Sequence, residues 1–360
     1  MGDNMSNLFE IDGVKIGGNE KCFIIAEMSA NHMQNFDRAV EIIKKAKWAG
    51  ADAIKLQTYT PDTITLDCDN EYFQIKQGTI WDGTTLHKLY QTAYTPWEWQ
   101  GKLKEIAEEE GLVFFSSPFD FTSVDFLESI DIPAYKVASF EITDIPFIEY
   151  IAAKGKPVIM SAGIARLGDI QDAIDACYRM GNREIAILKC TSAYPAPVDE
   201  INLKTMVNMK ETFNLITGLS DHTMGTTVSI ASVAMGAKIV EKHLTLRRED
   251  GGADSQFSME PEEFKEMVDA IRMTERAMGK VTYDLSEKQK NSREHSRSLF
   301  VVKDIKAGEV FTNENVKSIR PGFGIATKYI NDILGKKSTR NIEKGTPVKW
   351  NLVDITEEDK

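Results

Sequence analysis

Residues 22–57, CFIIAEMSANHMQNFDRAVEIIKKAKWAGADAIKLQ, contain the repeating unit that decides the fold. Two short apolar runs, 22–27 and 52–57, flank a helix-like stretch at 36–49 that is followed by Gly50. Apolar runs of this length, bounded by polar residues, are typical of strands that are buried on both faces of a parallel sheet. A glycine directly after a helical pattern is a common helix stop. The stretch therefore predicts a strand–helix–strand unit.

The same rhythm repeats along the chain to about residue 280. Six further strand-like runs lie at 112–116, 134–139, 157–161, 184–190, 215–220 and 238–243. Helical stretches that end directly before a glycine lie at 96–110, 144–154, 167–180, 225–235 and 261–278. Eight strands that alternate with helices over about 260 residues predict an α/β fold, a closed (β/α)8 TIM barrel. A doubly wound open sheet is the alternative, but it more often carries a glycine-rich phosphate loop after its first strand, and this sequence has none there.

The sequence changes in character after Gly279. Residues 283–297 are polar and charged, and residues 298–360 contain short strand-like pieces separated by glycine turns. We therefore predict a barrel domain over 1–280, a linker over 281–297 and a small β-rich domain over 298–360. Inside the barrel, the connection between Gln57 and Leu112 is unusually long. A loop of that length is uncommon unless it has a role, so we expect it to cover a site.

Composition and charge exclude several classes of protein. Hydrophobic residues make up 42% of the chain and charged residues 27%, which is typical of a globular rather than a disordered protein. A net charge of −12 argues against a nucleic-acid-binding surface and against a polybasic membrane anchor. No apolar run approaches the ~20 residues that span a bilayer, so we expect no membrane partner. The four scattered cysteines favour a reduced, cytoplasmic protein.

Polar and ionisable residues close every predicted strand. In a parallel barrel the carboxyl ends of the strands carry the chemistry. Lysines stand at several of these ends, and we expect Lys55 and Lys136 above all to face inward, with Lys189 as a third candidate. Serine hydroxyls beside them can donate to phosphate or carboxylate oxygens. The strand ends therefore predict a cationic pocket for a small anion.

Two histidines close adjacent strands, His222 on the seventh and His243 on the eighth. Because adjacent strands lie about 4.8 Å apart, two imidazoles at such ends can share one divalent ion. Glu27, Asp221 or Asp254 could supply an oxygen ligand or orient a metal-bound water. A pair of structural histidines is the alternative, and the sequence pattern favours the metal.

Seven motifs resemble those of the sialic acid synthase family in order and spacing. They are FIIAEMSANH, ADAIKLQTYTPDT, FFSSPFD, YKVASFEITD, LKCTSAYPAP, GLSDHT and EKHLTL. The later segments SIRPGFG and LGKK resemble the family's antifreeze-like domain, a fold of the β-clip type. The resemblance implies a transferase that condenses phosphoenolpyruvate with the open aldehyde form of an acylated amino sugar. Water is consumed, phosphate leaves, and a nine-carbon 2-keto sugar acid forms.

The resemblance also implies roles for individual residues. The residues implied to hold phosphoenolpyruvate are Lys55, Ser117, Lys136, Ser139, Ser192 and Ser220. The residues implied to contact the sugar are Gln57, Tyr194, Asp254 and Arg320. Glu27, Lys55 and Glu141 are the implied catalytic residues, with Glu141 assisting proton transfer near the enol carbon. His222 and His243 would hold Mn²⁺ or Mg²⁺. The family forms a domain-swapped homodimer in which the arginine corresponding to Arg320 reaches the partner's site.

Within the family, the motifs resemble most the branch that uses 2,4-diacetamido-2,4,6-trideoxy-L-altrose. EMSANH, TYTPDT and the segment GTIWDGTTLHKLY carry this resemblance. Two departures from the N-acetylneuraminate branch agree with it. Ser192 stands where that branch commonly has asparagine, and GGADSQFS stands where many relatives have GPDH. Both differences lie where an altered sugar would be recognised.

Four alternatives stay open at this point. The N-acetylneuraminate and legionaminate branches would use phosphoenolpyruvate with another acylated amino sugar. A metal-dependent aldolase acting on pyruvate would use the same barrel and histidine pair without a phosphate site. A sugar-binding or regulatory protein could keep the fold without the activity, because a fold alone does not fix a function.

Overall fold

The computed structural model describes residues 8–76 and 78–355. The chain divides into a larger unit that ends at Gly279 and a smaller unit that begins at Lys280. The described chain begins with an antiparallel hairpin of β1 (Leu8–Ile11) and β2 (Val14–Gly17), which the sequence analysis did not predict. The turn is Asp12–Gly13, with φ values of 47° and 79°, and an Asp-Gly pair is favoured where both turn residues need positive φ.

The hairpin seals one end of the barrel. Phe9, Ile11 and Ile16 are buried and belong to the same apolar cluster as Phe23 and Ile239, which begin two barrel strands. The apolar face of the hairpin therefore lies against the amino ends of the strands. The carboxyl ends, where the predicted site residues stand, are at the opposite end.

Eight parallel strands form a closed barrel, which confirms the predicted fold class. In order they are β3 (Phe23–Glu27), β4 (Ala53–Thr58), β5 (Val113–Pro118), β6 (Tyr135–Val137), β7 (Val158–Ser161), β8 (Ile185–Cys190), β9 (Ile216–Asp221) and β10 (Ile239–His243), and β10 pairs with β3. Every strand residue except Gln57 and Lys189 is buried. Burial on both faces explains why the strands appear in the sequence as short, nearly continuous apolar runs.

Helices cover the outside of the barrel, apart from two short helices in the connection between β4 and β5. The helices are α1 (Phe36–Ala49), α2 (Pro61–Ile64), α3 (Leu86–Ala93), α4 (Trp97–Glu109), α5 (Phe121–Ser129), α6 (Ile145–Ala152), α7 (Leu167–Arg179), α8 (Lys204–Phe213), α9 (Thr227–Ala234) and α10 (Pro261–Met278). In α1, Asn35 caps the first turn by accepting from the backbone N–H of Arg38, and Gly50 ends the helix with φ of 90°. Helices α5 and α8 had not been predicted.

The strand register brings charged residues to a common level. Glu27 pairs with Lys55 across β3 and β4, and His243 pairs with Glu27 across β10 and β3. Ser220 pairs with Glu241 across β9 and β10. Because alternate strand residues face opposite ways, residues two apart on one strand, such as Glu241 and His243, share a face.

Lys242 faces away from the barrel interior, as its position between Glu241 and His243 requires. Its Nζ lies 2.8 Å from Oδ2 of Asp221, and both side chains are almost wholly buried. The hydroxyl of Ser229, on α9, donates to the same carboxylate oxygen. This ion pair therefore joins the outer face of β9 and β10 to α9.

The long connection between β4 and β5 contains α2 and α3 before α4 begins. It folds back on itself, because the N–H of Ile75 donates to the carbonyl of Thr84 and the N–H of Leu86 donates to the carbonyl of Phe73. The indole Nε1 of Trp81 donates to the carbonyl of Ala253 at 2.8 Å. The bond from Trp81 ties the connection to the loop after β10, across the carboxyl end of the barrel.

The second unit has its own apolar core. It contains α11 (Glu287–Arg293), an antiparallel pair of β11 (Ser298–Val301) and β12 (Val316–Ile319), and α12 (Ile330–Ile333). Its core residues include Leu299, Val301, Phe311, Val316 and Val348. Helix α11 lies within the segment 281–297 that was predicted as a linker. Across the described parts of both units, no helix is long and apolar enough to cross a membrane.

Candidate active site

A cavity of about 370 Å³ lies at the carboxyl ends of the barrel strands. The predicted site residues that line it are Glu27, Lys55, Gln57, Lys136, Ser139, Ser192, Tyr194, Ser220, His222, His243 and Asp254. These residues are spread over more than two hundred positions of the sequence, and the closed barrel brings them together. The sequence analysis predicted this convergence, because the carboxyl ends of the strands of a parallel barrel all lie at the same end.

Five residues that the sequence analysis considered do not line this cavity, namely Ser117, Glu141, Lys189, Asp221 and Arg320. Nζ of Lys189 donates instead to the hydroxyl of Thr191 at 3.1 Å, and Asp221 pairs with Lys242 on the outer face of the barrel, so neither takes the predicted place at the site. Ser117 lies next to the cavity, since its hydroxyl accepts a hydrogen bond from Nζ of Lys55 at 3.1 Å. Glu141 follows β6 and lies close behind Ser139 in the chain, but its side chain is not part of the lining. Arg320 is an exposed residue of the second unit. The roles of Glu141 and Arg320 therefore stay predictions.

One side of the cavity floor is an ion pair between Glu27 and Lys55. Oε2 of Glu27 lies 2.6 Å from Nζ of Lys55, and both side chains are almost wholly buried. Burial raises the pKa of Glu27 to about 7, because desolvation disfavours the carboxylate more than Lys55 favours it. Near neutral pH this carboxylate exchanges a proton readily, so it suits a general acid or base.

A second carboxylate, Glu241, lies between the two lysines of the floor. Its Oε1 is 3.6 Å from Nζ of Lys55 and 3.7 Å from Nζ of Lys136, and it accepts a hydrogen bond from the hydroxyl of Ser220 at 3.2 Å. Burial alone would raise the pKa of Glu241, but Lys136 and Lys55 outweigh burial and hold it below its usual range. Glu241 is therefore the fixed negative charge of the floor.

Of the two lysines of the floor, Lys136 has the environment that is less favourable to a protonated ammonium group. Burial lowers its pKa below the usual range, although Glu241 partly offsets the effect. Its Nζ donates to the hydroxyl of Ser161 at 2.7 Å. The negative charge near Lys136 does not fully offset the cost of burying its ammonium group. An anionic ligand would add negative charge beside this group in a low-dielectric setting, and would therefore stabilise the ammonium form.

A cluster of hydroxyls surrounds Gly163, in the loop after β7. The N–H of Gly163 donates to the hydroxyl of Ser139 at 3.2 Å. A Cβ at this position would lie 2.6 Å from Oγ of Ser139, 3.1 Å from Sγ of Cys190, and would overlap Oγ of Ser192. Glycine is therefore required for the two predicted anion-binding serines, Ser139 and Ser192, to approach the backbone.

The two histidines face one another at the edge of the cavity. The ring centroids of His222 and His243 are 5.3 Å apart. Nδ1 of His222 lies 3.2 Å from the carbonyl oxygen of Thr191, which orients the ring and leaves its other nitrogen free to bind a ligand. Nδ1 of His243 is buried and has no hydrogen-bond partner among the described residues. Burial, followed by the charge of His222, holds the pKa of His243 well below its usual value, so its ring is neutral.

These histidines fit a divalent metal ion. The imidazole of His222, oriented through a backbone carbonyl, and the neutral imidazole of His243, with an unpartnered buried nitrogen, form a suitable pair of donors. Among the described residues, no group of three or more His, Cys, Asp and Glu side chains is arranged to hold a metal. A metal held by this pair alone would need oxygen ligands from water or substrate to complete its coordination.

Asp254 and an aromatic group complete the polar side of the cavity. The carboxylate of Asp254 accepts hydrogen bonds from the hydroxyl of Ser29 and, at 3.5 Å, from the N–H of Ala30. Burial raises the pKa of Asp254. The rings of Trp81 and Tyr194 have centroids 5.5 Å apart, and Tyr194 also packs on His222 at 4.6 Å. Trp81 therefore holds the long connection against the histidine pair.

Sequence reasoning gave no role to several residues of the site. Glu241 was placed at the end of the eighth strand, but nothing in the sequence showed that it would lie between two lysines. Ser161 was likewise seen only as a strand end. Trp81 was seen only as part of the segment GTIWDGTTLHKLY, and Gly163 carried no signal of its own, because its importance depends on distant neighbours.

The fold and the cavity define a (β/α)8-barrel enzyme that binds an anionic substrate beside a pair of histidines. Residues 42–283 match the NeuB family, and residues 296–354 match the SAF domain. The chain belongs to the NeuB family.

Individual relatives agree with this assignment. A pseudaminic acid synthase of Campylobacter jejuni subsp. jejuni serotype O:23/36 (strain 81-176) is 47% identical over 330 residues, which is 92% of this chain and 96% of the relative. A pseudaminic acid synthase of Helicobacter pylori (strain ATCC 700392 / 26695) is 44% identical, over 90% of this chain and 96% of the relative. A crystal structure of an N-acetylneuraminic acid synthetase from Leptospira borgpetersenii, in complex with citrate, superposes with a TM-score of 0.71 at 29% identity, over 81% of this chain and 96% of the other.

Proposed function

We propose that this chain is a pseudaminic acid synthase. It condenses phosphoenolpyruvate with 2,4-diacetamido-2,4,6-trideoxy-L-altrose and water, and it releases pseudaminate and phosphate. The observation that carries the proposal is the cationic floor of Lys55 and Lys136 beside the histidine pair, in a chain that is 47% identical to a pseudaminic acid synthase over 92% of its length.

Phosphoenolpyruvate occupies the floor of the cavity. Lys55 and Lys136 neutralise its phosphate and carboxylate, and the serines beside them donate hydrogen bonds. The serines assigned to this role are Ser117, Ser139, Ser192 and Ser220.

The reaction joins C3 of phosphoenolpyruvate to the aldehyde carbon of the open sugar. Water is consumed and inorganic phosphate leaves, and one proton of the water ends on the former aldehyde oxygen. Glu27 accepts the proton of the water, because its carboxylate has a pKa of about 7 and its Oε1 has no hydrogen-bond partner among the described residues. Most of the rate enhancement then comes from holding the two carbon atoms in contact.

His222 and His243 hold Mn²⁺ or Mg²⁺ in this proposal. A bound ion supplies Lewis-acid polarisation of the aldehyde oxygen. Binding of Mn²⁺ to the metal-free protein, measured by isothermal titration calorimetry, should weaken at least tenfold in His222→Gln and in His243→Gln. The exposed His295 provides the matched control, and His295→Gln should bind Mn²⁺ as the unaltered protein does. Equal affinity in all four proteins would refute the assignment.

Phosphate release across a panel of sugars tests the proposed activity. With phosphoenolpyruvate, release should be fastest with 2,4-diacetamido-2,4,6-trideoxy-L-altrose. Preference for N-acetylmannosamine, or for the sugar precursor of legionaminate, would move the chain to another branch of the family. Turnover with pyruvate in place of phosphoenolpyruvate would instead identify an aldolase, and absence of any turnover would favour a binding protein.

We also propose a domain-swapped homodimer in the cytoplasm, in which Arg320 contributes to the partner's site. Support comes from the resemblance of SIRPGFG to the corresponding segment of the family. Sedimentation velocity tests the dimer. Mixing Arg320→Ala subunits with Lys136→Ala subunits should restore part of the activity, because some hybrid sites then have both residues intact. No restoration would place both residues of a site in one chain.

A further inference from the structure

One side of the cavity is lined by hydrocarbon rather than by charge. This aliphatic wall consists of Ile64, Ile75, Leu86, Leu89 and Ala93. All five residues come from the long connection between β4 and β5. The charged part of the lining, with Glu27, Lys55, Lys136, Glu241 and the histidine pair, comes from the ends of the barrel strands and the residues directly after them. The cavity is therefore divided into a charged floor from the strand ends and an apolar wall from a single segment.

Helix α3 supplies most of the wall through one face. Leu86, Leu89, Tyr90 and Ala93 follow the spacing of one helical face, and all four line the cavity. Lys88, Gln91 and Thr92 on the other side of the helix are exposed. An amphipathic helix normally turns its apolar face to a protein core. Here that face is turned to the cavity, where a ligand can cover it.

The wall is held in place by its own contacts. His87, which alternates with the wall residues and is buried, has its Nε2 2.9 Å from Oδ1 of Asp62. The N–H of Ile75 donates to the carbonyl of Thr84, which fixes Ile75 beside the start of α3. The hydroxyl of Thr79, also in the cavity lining, already donates to Asp82 at 2.8 Å. The wall is therefore a formed apolar surface that offers little hydrogen bonding to a ligand.

We propose that the aliphatic wall is a subsite for a methyl group of the sugar substrate, and that Leu86 and Leu89 determine selectivity for sugars that carry it. The inference rests on the proposed function, because it assigns part of the same cavity. The methyl group has two possible sources in the substrate, namely C6 of the 6-deoxy sugar and the acyl methyls of the two acetamido groups. A hydroxyl placed against the wall would lose water without gaining a partner.

The selectivity between substrates that an apolar wall can give has a characteristic magnitude. An apolar pocket distinguishes substrates that differ by one methyl group, or by one added hydroxyl, by about 10- to 100-fold in kcat/KM. A polar site that hydrogen-bonds the substrate discriminates far more strongly. A moderate preference is therefore expected, and it should vary with the apolar area of the wall and not with the charge of the floor.

The unaltered protein provides the first test. Phosphate release is measured with phosphoenolpyruvate and four sugars, namely 2,4-diacetamido-2,4,6-trideoxy-L-altrose, its 6-hydroxy counterpart, and two analogues with formamido in place of acetamido at C2 or at C4. The sugar that lacks the wall-bound methyl should have a kcat/KM at least tenfold lower than the parent sugar. A lower kcat/KM with the 6-hydroxy sugar would show that the methyl group at C6 contacts the wall. A lower kcat/KM with a formamido sugar would show that the methyl group of that acyl substituent does so. Equal kcat/KM for all four sugars overturns the proposal.

A pair of substitutions provides the second test. Leu89→Asn and Leu86→Asn place an amide of similar size in the wall, and each should reduce the preference between the parent sugar and the discriminated analogue about tenfold. The KM for phosphoenolpyruvate should stay unchanged, because the floor is untouched. Leu89→Met, which keeps the side chain apolar, should retain the preference. Leu66→Asn is the matched control, since Leu66 lies in the same connection, is 60% exposed and does not line the cavity.

The outcomes separate this inference from the proposed function. No phosphate release with any diacetamido sugar overturns the proposed function and this assignment with it. A second outcome is release of phosphate with the parent sugar, while Leu89→Asn and Leu86→Asn leave the preference between sugars unchanged. That result would refute the assignment of the aliphatic wall and leave the proposed function standing. If either variant fails to fold, as judged by thermal unfolding, the four-sugar series with the unaltered protein still decides the question.

Discussion

Oε1 of Glu241 lies 3.7 Å from Nζ of Lys136, and both side chains are almost wholly buried. The same oxygen lies 3.6 Å from Lys55. The carboxylate of Glu241 thus lies between two ammonium groups at the floor of the cavity, and Glu27 is a second partner of Lys55. Since a lone charge in such surroundings is unstable, Glu241 favours the protonated form of both lysines by raising their pKa values against the effect of burial.

Glu241→Gln should therefore reduce kcat/KM at least tenfold and change its pH dependence. Burial already lowers the pKa of Lys136, and Glu241 raises it, so removing the carboxylate lowers that pKa further. The loss of activity at high pH should then begin at a lower pH than in the unaltered protein. Glu241→Asp, which keeps the charge, should restore part of the alkaline activity. An unchanged pH profile in Glu241→Gln would show that Glu241 does not control the lysines.

The acid side of the pH profile tests two glutamates against each other. Burial raises the pKa of both Glu27 and Glu141 to about 7. If the ionised carboxylate of Glu27 accepts the proton, kcat/KM rises as the pH passes upward through about 7. Glu27→Gln should remove this rise as well as most of the activity, whereas Glu141→Gln should keep it. The opposite result would assign the proton transfer to Glu141, as the resemblance alone implied.

Gly163→Ala should raise the KM for phosphoenolpyruvate about tenfold or more, since the new Cβ would displace Ser139 and Ser192. Steady-state kinetics at saturating sugar measure the effect. Gly168→Ala is a matched control, because the added Cβ meets nothing within 4 Å and position 168 is the second residue of helix α7. That change should leave the kinetics unaltered and should stabilise the fold slightly, by about 0.5–1 kcal/mol. Equal kinetics for both variants would exclude the hydroxyl cluster from the anion site.

Asp221→Asn should destabilise the barrel by roughly 3–5 kcal/mol, because it leaves the buried ammonium of Lys242 without its partner. Denaturation with urea measures the free energy of unfolding. The double variant Asp221→Asn with Lys242→Met should recover much of the loss, since the uncompensated charge is then gone. A double variant no more stable than Asp221→Asn would mean that the hydrogen bonds of Asp221 to Thr223 and Ser229 dominate.

The same ion pair gives a pH dependence of stability. Burial would raise the pKa of Asp221, but Lys242 and the hydrogen bonds to Ser229 and Thr223 outweigh it and lower the pKa. A carboxyl group with a lowered folded-state pKa stabilises the protein above its unfolded-state pKa of about 4, and the stabilisation is lost as pH falls through the folded-state value. Asp221→Asn should therefore weaken the decline in unfolding free energy below about pH 4.

The barrel could be predicted because each repeat carries its own local signals. Helices α1 and α10 begin and end at the predicted residues, since both have a sharp pattern bounded by a glycine. Helix α8 was missed because no glycine follows it: Asn214, in the left-handed conformation, ends the helix, and only Met206 and Met209 of the helix are buried. The hairpin of β1 and β2 was missed because it is short and its apolar residues are buried only by contact with the barrel that it seals.

The site was predictable to the extent that strand ends in a parallel barrel must converge. Lys55, Lys136, His222 and His243 could be placed together on that basis. The pairing of Glu241 with two lysines could not, since it depends on which residues face inward and on the reach of side chains from three strands. The aliphatic wall depends on how the long connection folds back, and a connection without a strand pattern gives no such information.

The hairpin at the amino ends of the strands makes the barrel a tube with a closed bottom. If phosphoenolpyruvate binds at the lysines and the sugar above it, as proposed, the donor must pass the place of the sugar on its way in. The two reactants would then have to arrive in sequence, with the donor first. Phosphate would leave only after the nine-carbon product above it.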